Sequence, residues 1–277
     1  MARVTAAKLS EKLGQPFVVE NRPGANGAIG GRAVAEAAPD GYMLCFSASI
    51  QVLARQVMRN PGYDPVADLR PIVRTGRGPL LLLMNRSRLP NTLQELLSAV
   101  RSNPRDWPVA VSSLGAAGHL ATIEFIRQAG VELVQVPYRG TAPAITDVVA
   151  GNVALVFEPI LATWPPARDG LARALAITSA TRSDAAPNVP TAAEGGMPNL
   201  DIQSWWGLWG PQALPAEIVA RIGDALRTGM LEPDVFARVG TLGIVPMAEV
   251  GTDFAAFIRS DVERAETLFR LAKFQPE

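Results

Sequence analysis

Three times in this chain an apolar run gives way to a helix-like segment through small hydroxyl residues. Ser47 and Ser49 follow YMLCF, Ser112 and Ser113 follow PVAV, and Thr141 follows VELVQVPYRG. In an α/β sheet such junctions are strand ends feeding helix N-termini. Backbone N–H groups without intrahelical partners, and the positive end of the helix dipole, there face a crevice suited to an anion. Ser112 and Ser113, with Gly115 and Gly118 allowing close backbone approach, offer hydroxyl and N–H donors to a carboxylate; an ordinary N-cap is the alternative. Tyr138, Gly140, Thr141 and Ala142 form a second such loop, with Thr141 placed as an N-cap and Gly140 free to take an unusual backbone angle. Arg139 beside them is either a bidentate carboxylate contact or a solvated ion-pair member. The chemistry expected from these types is capture of a small carboxylate, with Ser47 and Ser49 facing the ligand or capping a helix.

The remaining chemically capable residues narrow the reading. Glu158 ends the run VALVF; its charge would repel a carboxylate and hold an amine, and a plain surface or hinge glutamate is the alternative. Trp205, in the run SWWGLWGP, suits either a ligand wall or an aromatic core. His119 is the only histidine, so no site needing two imidazoles exists; it either donates to the ligand or makes a structural hydrogen bond. No zinc-type spacing surrounds it, and neither a serine nor a cysteine triad can be assembled, so no catalytic residue, metal or cofactor is expected. A hydrolase or lyase using His119 with a serine is the enzymatic rival, and the nucleophile-elbow pattern G-x-S-x-G does not occur. GANGAIGG lacks the order of a dinucleotide or P-loop fingerprint, so its glycines are assigned to a tight turn and helix packing.

Composition bounds the class. With 277 residues, and 26 basic side chains balancing 26 acidic ones, the chain is long enough for two lobes, and nucleic acid is not an expected partner. The longest apolar run, LLLLM before Asn85, falls far short of the roughly 18 residues that read as a membrane span. One cysteine, Cys45, excludes an intrachain disulfide and sits in an apolar strand as a buried thiol. Met1 leads directly into the helix-like ARVTAAKLSEKLG, without the basic, apolar and small-residue pattern of a secretory leader.

These residues must be held by alternating strands and helices. After the first helix, FVVEN is expected as a strand; AIGGRAVAEAA, YMLCF, PLLLLMN and NTLQELLSAVRSN then alternate helix and strand. Leu93, Leu96, Leu97 and Val100 recur at helical spacing. Beyond Asn103 the grammar restarts with VAVSS, HLATIEFIRQAG, ELVQVPY, APAITDVVAG, VALVFEP and RALAITS. Strands apolar throughout, separated by amphipathic helices, predict a mainly parallel sheet flanked by helices in each lobe. The first lobe is expected over residues 1–103 and 210–277, the second over 104–209, with crossings near Asn103–Trp107 and Ser204–Pro211 acting as a hinge.

In this order VENRPGANGAIGGRAVAEAAPDGYML, VSSLGAAGHLA, VPYRGTAPAITDVVAGNV, RALAITSATRS, PTAAEGG and SWWGLWGP resemble the Bug-type substrate-binding receptors of tripartite tricarboxylate transporters. The resemblance implies a type II-like periplasmic-binding-protein fold of two α/β lobes, no cofactor and no chemical step. It implies a periplasmic monomer that delivers a small organic acid to a membrane permease; a sensory or partner-binding role on the same fold is the alternative. It implies a carboxylate grip made largely by backbone amides in the loops after strands. Members also begin with a strand and a Pro- and Gly-rich loop ahead of the helix matching ARVTAAKLSEKLG, so this chain is expected to lack that opening segment.

Overall fold

A chain apolar enough to bury two cores divides, in the computed structural model of residues 1–277, into two units. Unit 1 comprises residues 1–77, 205–240 and 244–277, and unit 2 comprises 78–204 and 241–243. In chain order the elements are α1 (Ala2–Leu13), α2 (Ala28–Ala35), β1 (Cys45–Ala48), α3 (Ala54–Val57), β2 (Leu69–Asn85), α4 (Leu93–Ser102), β3 (Val109–Val111), α5 (Ala117–Ala129) and β4 (Gln135–Pro137). They continue as α6 (Thr141–Ala150), β5 (Leu155–Pro159), α7 (Ile160–Arg168), β6 (Ala172–Ile177), β7 (Gln203–Pro211), α8 (Ala216–Gly229), α9 (Pro233–Gly240), β8 (Val245–Val250) and α10 (Gly251–Leu271).

Unit 2 follows the apolar runs closely. Leu80–Met84 are fully buried, as expected of a strand covered on both faces, and they pair antiparallel with β5 on one side while Leu81–Asn85 pair with β6 on the other. The sheet order is β6-β2-β5-β3-β4, with β3 parallel to both β4 and β5. Helix α4 starts where Thr92 Oγ1 accepts the Glu95 N–H at 3.2 Å, and buries Leu93, Leu96, Leu97 and Val100 on one face. The α6 face built from Ala144 and Val148 closes over Ala110, Val156 and Ile160.

Unit 1 is built on antiparallel pairs. Cys45–Ala48 of β1 pair with Trp209–Trp206 of β7, and the first half of β2 pairs with β8 through a register shift at Arg74–Gly76. Val4 and Leu9 of α1, Ile222 and Leu226 of α8, and Val235 and Val239 of α9 share one core with Ile72, Val73 and Leu208. Helix α1 ends at Gly14 in the left-handed conformation, φ 67°, which returns its N–H to Ser10 O.

Three expectations are corrected. Pairing is mixed: β3 runs parallel to β4 and β5, whereas β1–β7, β2–β5, β2–β6 and β2–β8 pair antiparallel. FVVEN is not a strand. Residues 15–24 carry no regular structure, and Val18 is 89% exposed. A strand needs a ladder partner, and instead the segment flanks an open groove of about 490 Å³ whose other wall includes Leu9, Leu44, Phe46 and Leu208. Finally, the first crossing falls at Arg77–Gly78 inside β2, so residues 78–103, expected in the first lobe, belong to unit 2; the second, at Ser204–Trp205 inside β7, lies within the expected stretch. The cause is the 17-residue β2, which supplies a strand to each unit.

Candidate functional site

Because β4, β3 and β5 are adjacent and parallel, their C-terminal ends share one edge of the unit 2 sheet, the edge at which open α/β sheets take ligands. That edge gathers Ser112, Ser113, Gly115, His119, Tyr138, Gly140, Thr141, Ala142 and Glu158, which are scattered over almost fifty positions in sequence.

The two loops are laced together by backbone. Tyr138 N–H donates to Val111 O at 2.8 Å and Gly140 N–H donates to Ser112 O at 2.9 Å, extending the β3–β4 ladder past the strands. Gly140 is the N-cap of α6 with φ 109° and ψ 167°, a region open essentially to glycine alone. Thr141, expected as the cap, is instead the first helical residue. No side chain caps α6, Pro143 has no N–H, and the Thr141 and Ala142 N–H groups have no intrahelical acceptor. Ala142 is exposed.

The hydroxyls expected to meet a ligand are turned inward. Glu158, 3% exposed, accepts from Ser112 Oγ on one carboxylate oxygen and from Thr141 Oγ1 on the other, at 2.6 Å. Burial raises its pKa, and the two hydroxyls act in the opposite direction. Ser113 Oγ donates to Ser112 O at 2.7 Å, and Tyr138 Oη donates to Asp147 Oδ2 at 2.7 Å. Burial first, and Asp147 second, push the Tyr138 phenol up to about 12. The amine-holding role considered for Glu158 therefore meets a carboxylate already bonded at both oxygens.

Neither serine caps α5, whose N-cap is Ala116. Gly118 lies so close to β5 that a Cβ there would overlap Phe157 O. His119, 3% exposed, accepts the Gly115 N–H on Nδ1 at 3.1 Å, which leaves the proton of the neutral ring on Nε2. Burial brings its pKa down to about 4, so it is uncharged at neutral pH. The Ser112 and Ser113 protons go to Glu158 and to a carbonyl, so neither of these serines donates to the imidazole as a triad requires.

Unit 1 holds the other candidates. Ser47 is within β1, opposite Gly207, and half-buried; Ser49 is buried at the start of a 3-10 turn over Ser49–Leu53. Trp205 is 3% exposed: its indole N–H donates to Asp261 Oδ2 at 2.9 Å, and its rings meet Phe254 and Phe257 edge-on. It packs as an aromatic core residue, the second of its two readings. The tight turn expected at the start of GANGAIGG is Gly24-Ala25-Asn26-Gly27, with four successive positive φ values of 121°, 46°, 51° and 88°, although no site was expected there. Gly27 N–H donates within the turn to Gly24 O at 2.9 Å, and Gly27 lies beside Ser47 and Gln51. The flanking glycines were the available signal. No cluster of three or more His, Cys, Asp or Glu residues could hold a metal ion, and no helix is long and apolar enough to cross a membrane.

A family model described as the tripartite tricarboxylate transporter family receptor matches residues 1–273. The chain belongs to this receptor family. The receptor is 34% identical over 266 residues to protein BugT of Bordetella pertussis, covering 95% of this chain and 82% of that protein. Among solved structures it is similar to the periplasmic binding protein BugD, with TM-score 0.89 and 30% identity, covering all of this chain and 93% of that one. It is also similar to an R. palustris protein solved with adipate, with TM-score 0.93 and 33% identity over 100% and 93% of the two chains. A third similar structure is MatC of Rhodopseudomonas palustris with bound malate, with TM-score 0.87 and 30% identity over 96% and 92%. The receptor therefore has the two-lobed α/β fold of periplasmic binding proteins and is a solute-binding protein, not an enzyme.

Proposed function

We propose that this receptor captures a small dicarboxylate in the periplasm and delivers it to the permease of a tripartite transporter. The observation that carries the reading is the uncapped N-terminus of α6, fixed by the Gly140 to Ser112 bond at the C-terminal edge of three parallel strands. Its Thr141 and Ala142 N–H groups are donors positioned for one carboxylate, favoured by the helix dipole. The chemical class is supported by the adipate and malate held by two of the similar structures. Grip by backbone donors suits a receptor whose hydroxyls are bonded internally, because amides fixed by helix and ladder need no reorganisation on binding.

Calorimetric titration with adipate, malate, citrate and aspartate tests this. Saturable binding of at least one acid, with a thermal midpoint that rises as ligand is added, is expected; a hundredfold excess over Kd contributes about 2.7 kcal/mol. Absence of heat and of any midpoint shift across the panel refutes carboxylate capture. Acid uptake by cells that requires both this receptor and a tripartite permease is the expected result for delivery.

A further inference from the structure

Glu158 is a buried acid at a site read as binding acids, and its hydrogen bonds fix what its neighbours can do. An ionised carboxylate only accepts, so both hydroxyls bonded to it must donate inward. Ser112 and Thr141 have one O–H proton each. While Glu158 is ionised, the Thr141 oxygen beside the α6 N–H groups shows only lone pairs outward, which repel a solute carboxylate. A proton on Glu158 reverses this: the acid donates to one hydroxyl, and that hydroxyl's own proton turns outward as a donor. Thr141 is the hydroxyl so placed, since it is half-buried at the start of α6 whereas Ser112 is 5% exposed.

We propose that Glu158 is a positioning residue that links carboxylate capture to the uptake of one proton, which lodges on Glu158 and converts the Thr141 hydroxyl from acceptor to donor. The inference rests on the carboxylate-capture reading above. The proton comes from solvent, and no other bond changes.

The groups on the elements packed around Glu158 do not offer an alternative. On α5, His119 is a neutral acceptor of the Gly115 N–H, and Glu124 is paired with Arg127 at 2.7 Å. On α6, Asp147 takes Tyr138 Oη and Asn152 Nδ2. Arg139 in the intervening loop is exposed, Arg168 at the end of α7 pairs with Asp169, and Arg173 of β6 donates to the Arg88 and Pro90 carbonyls. β3, β4, β5 and the half of β2 in unit 2 carry no other charge. Burial, opposed only by the two hydroxyls, sets the titration of Glu158.

The test is the pH dependence of adipate and malate affinity between about pH 6.5 and 9, where both acids are dianions. Wild-type affinity is expected to fall about tenfold per pH unit over the range separating the free and bound titrations, as one-proton linkage requires. Calorimetry in two buffers of different ionisation enthalpy should show one proton taken up, and the infrared difference spectrum should show a new protonated-carboxyl band. In Glu158→Gln the amide carbonyl accepts from one hydroxyl and its NH2 donates to the other, imitating the protonated acid. Its affinity should therefore be pH-independent, at the wild-type low-pH level. Binding that is flat with pH in wild type, or an unchanged slope in Glu158→Gln, overturns the proposal and leaves the receptor reading standing. No binding of any acid of the adipate, malate, citrate and aspartate panel at any pH overturns both this proposal and carboxylate capture. If the variant does not fold, the buffer pair and the infrared band on wild type decide alone.

Discussion

Gly140→Ala isolates what one backbone angle contributes to this receptor. A Cβ at Gly140 meets nothing within 4 Å, so no clash contributes, and the whole effect comes from φ 109° and ψ 167°. Holding alanine there costs about 1–3 kcal/mol. The alternative is to rotate the residue to negative φ, which breaks the 2.9 Å bond from Gly140 N–H to Ser112 O, a net loss of about 0.5–1.5 kcal/mol, and moves the start of α6. Either route should lower the stability of unit 2 by about 1–2 kcal/mol, seen as a lower urea midpoint at unchanged slope. If the loop rotates, adipate affinity should also drop about 5- to 30-fold, since about 1.4 kcal/mol is a factor of ten. The control is Gly170→Ala, at φ 71° with nothing within 4 Å, in the turn between α7 and β6. It should lose about 1–2 kcal/mol of stability for its left-handed angle and leave affinity untouched. A Gly140→Ala protein with wild-type urea midpoint and wild-type affinity would refute the assignment of the α6 N-terminus to the site.

Trp205→Phe removes the donor to Asp261, whose pKa is already raised by burial and held back by that indole together with Arg264 and Arg74. The loss should be about 1–3 kcal/mol. A raised carboxyl pKa contributes stability at acid pH that is lost as pH rises through the folded value, so raising it further should make the deficit larger at pH 7 than at pH 4. Equal deficits at both would count against the Asp261 contact. Cys45 is buried and its thiol is pushed up to about 12, so a thiol reagent at neutral pH should label the native receptor only at the rate of opening and react promptly in urea; free-thiol labelling rates in the native protein would contradict the β1 placement.

Much of this was legible along the chain. The apolar period placed Leu93, Leu96, Leu97 and Val100 on the buried face of α4, and the run PLLLLMN became the fully buried half of β2. Strand, small residue, then helix located the β3–α5 and β4–α6 loops, because a parallel strand must turn into its helix there. Pairing direction and partners were not legible. FVVEN has the composition of a strand, but a strand exists only beside another, and composition carries no information about the neighbour. The Trp-rich run likewise fits a wall or a core, and only the packing of Phe254, Phe257 and Asp261 around Trp205 chose the core.

By itself the sequence determined the receptor family, the α/β alternation and which loops end strands, since each rests on local order and periodicity. The tertiary structure decided the direction of each hydrogen bond at the site. Ser112, Thr141 and Glu158 come from three separate strand–helix junctions, and only their meeting shows that both hydroxyl protons serve a buried acid. Donor and acceptor roles of a hydroxyl belong to its partners in space, which no reading along the chain contains.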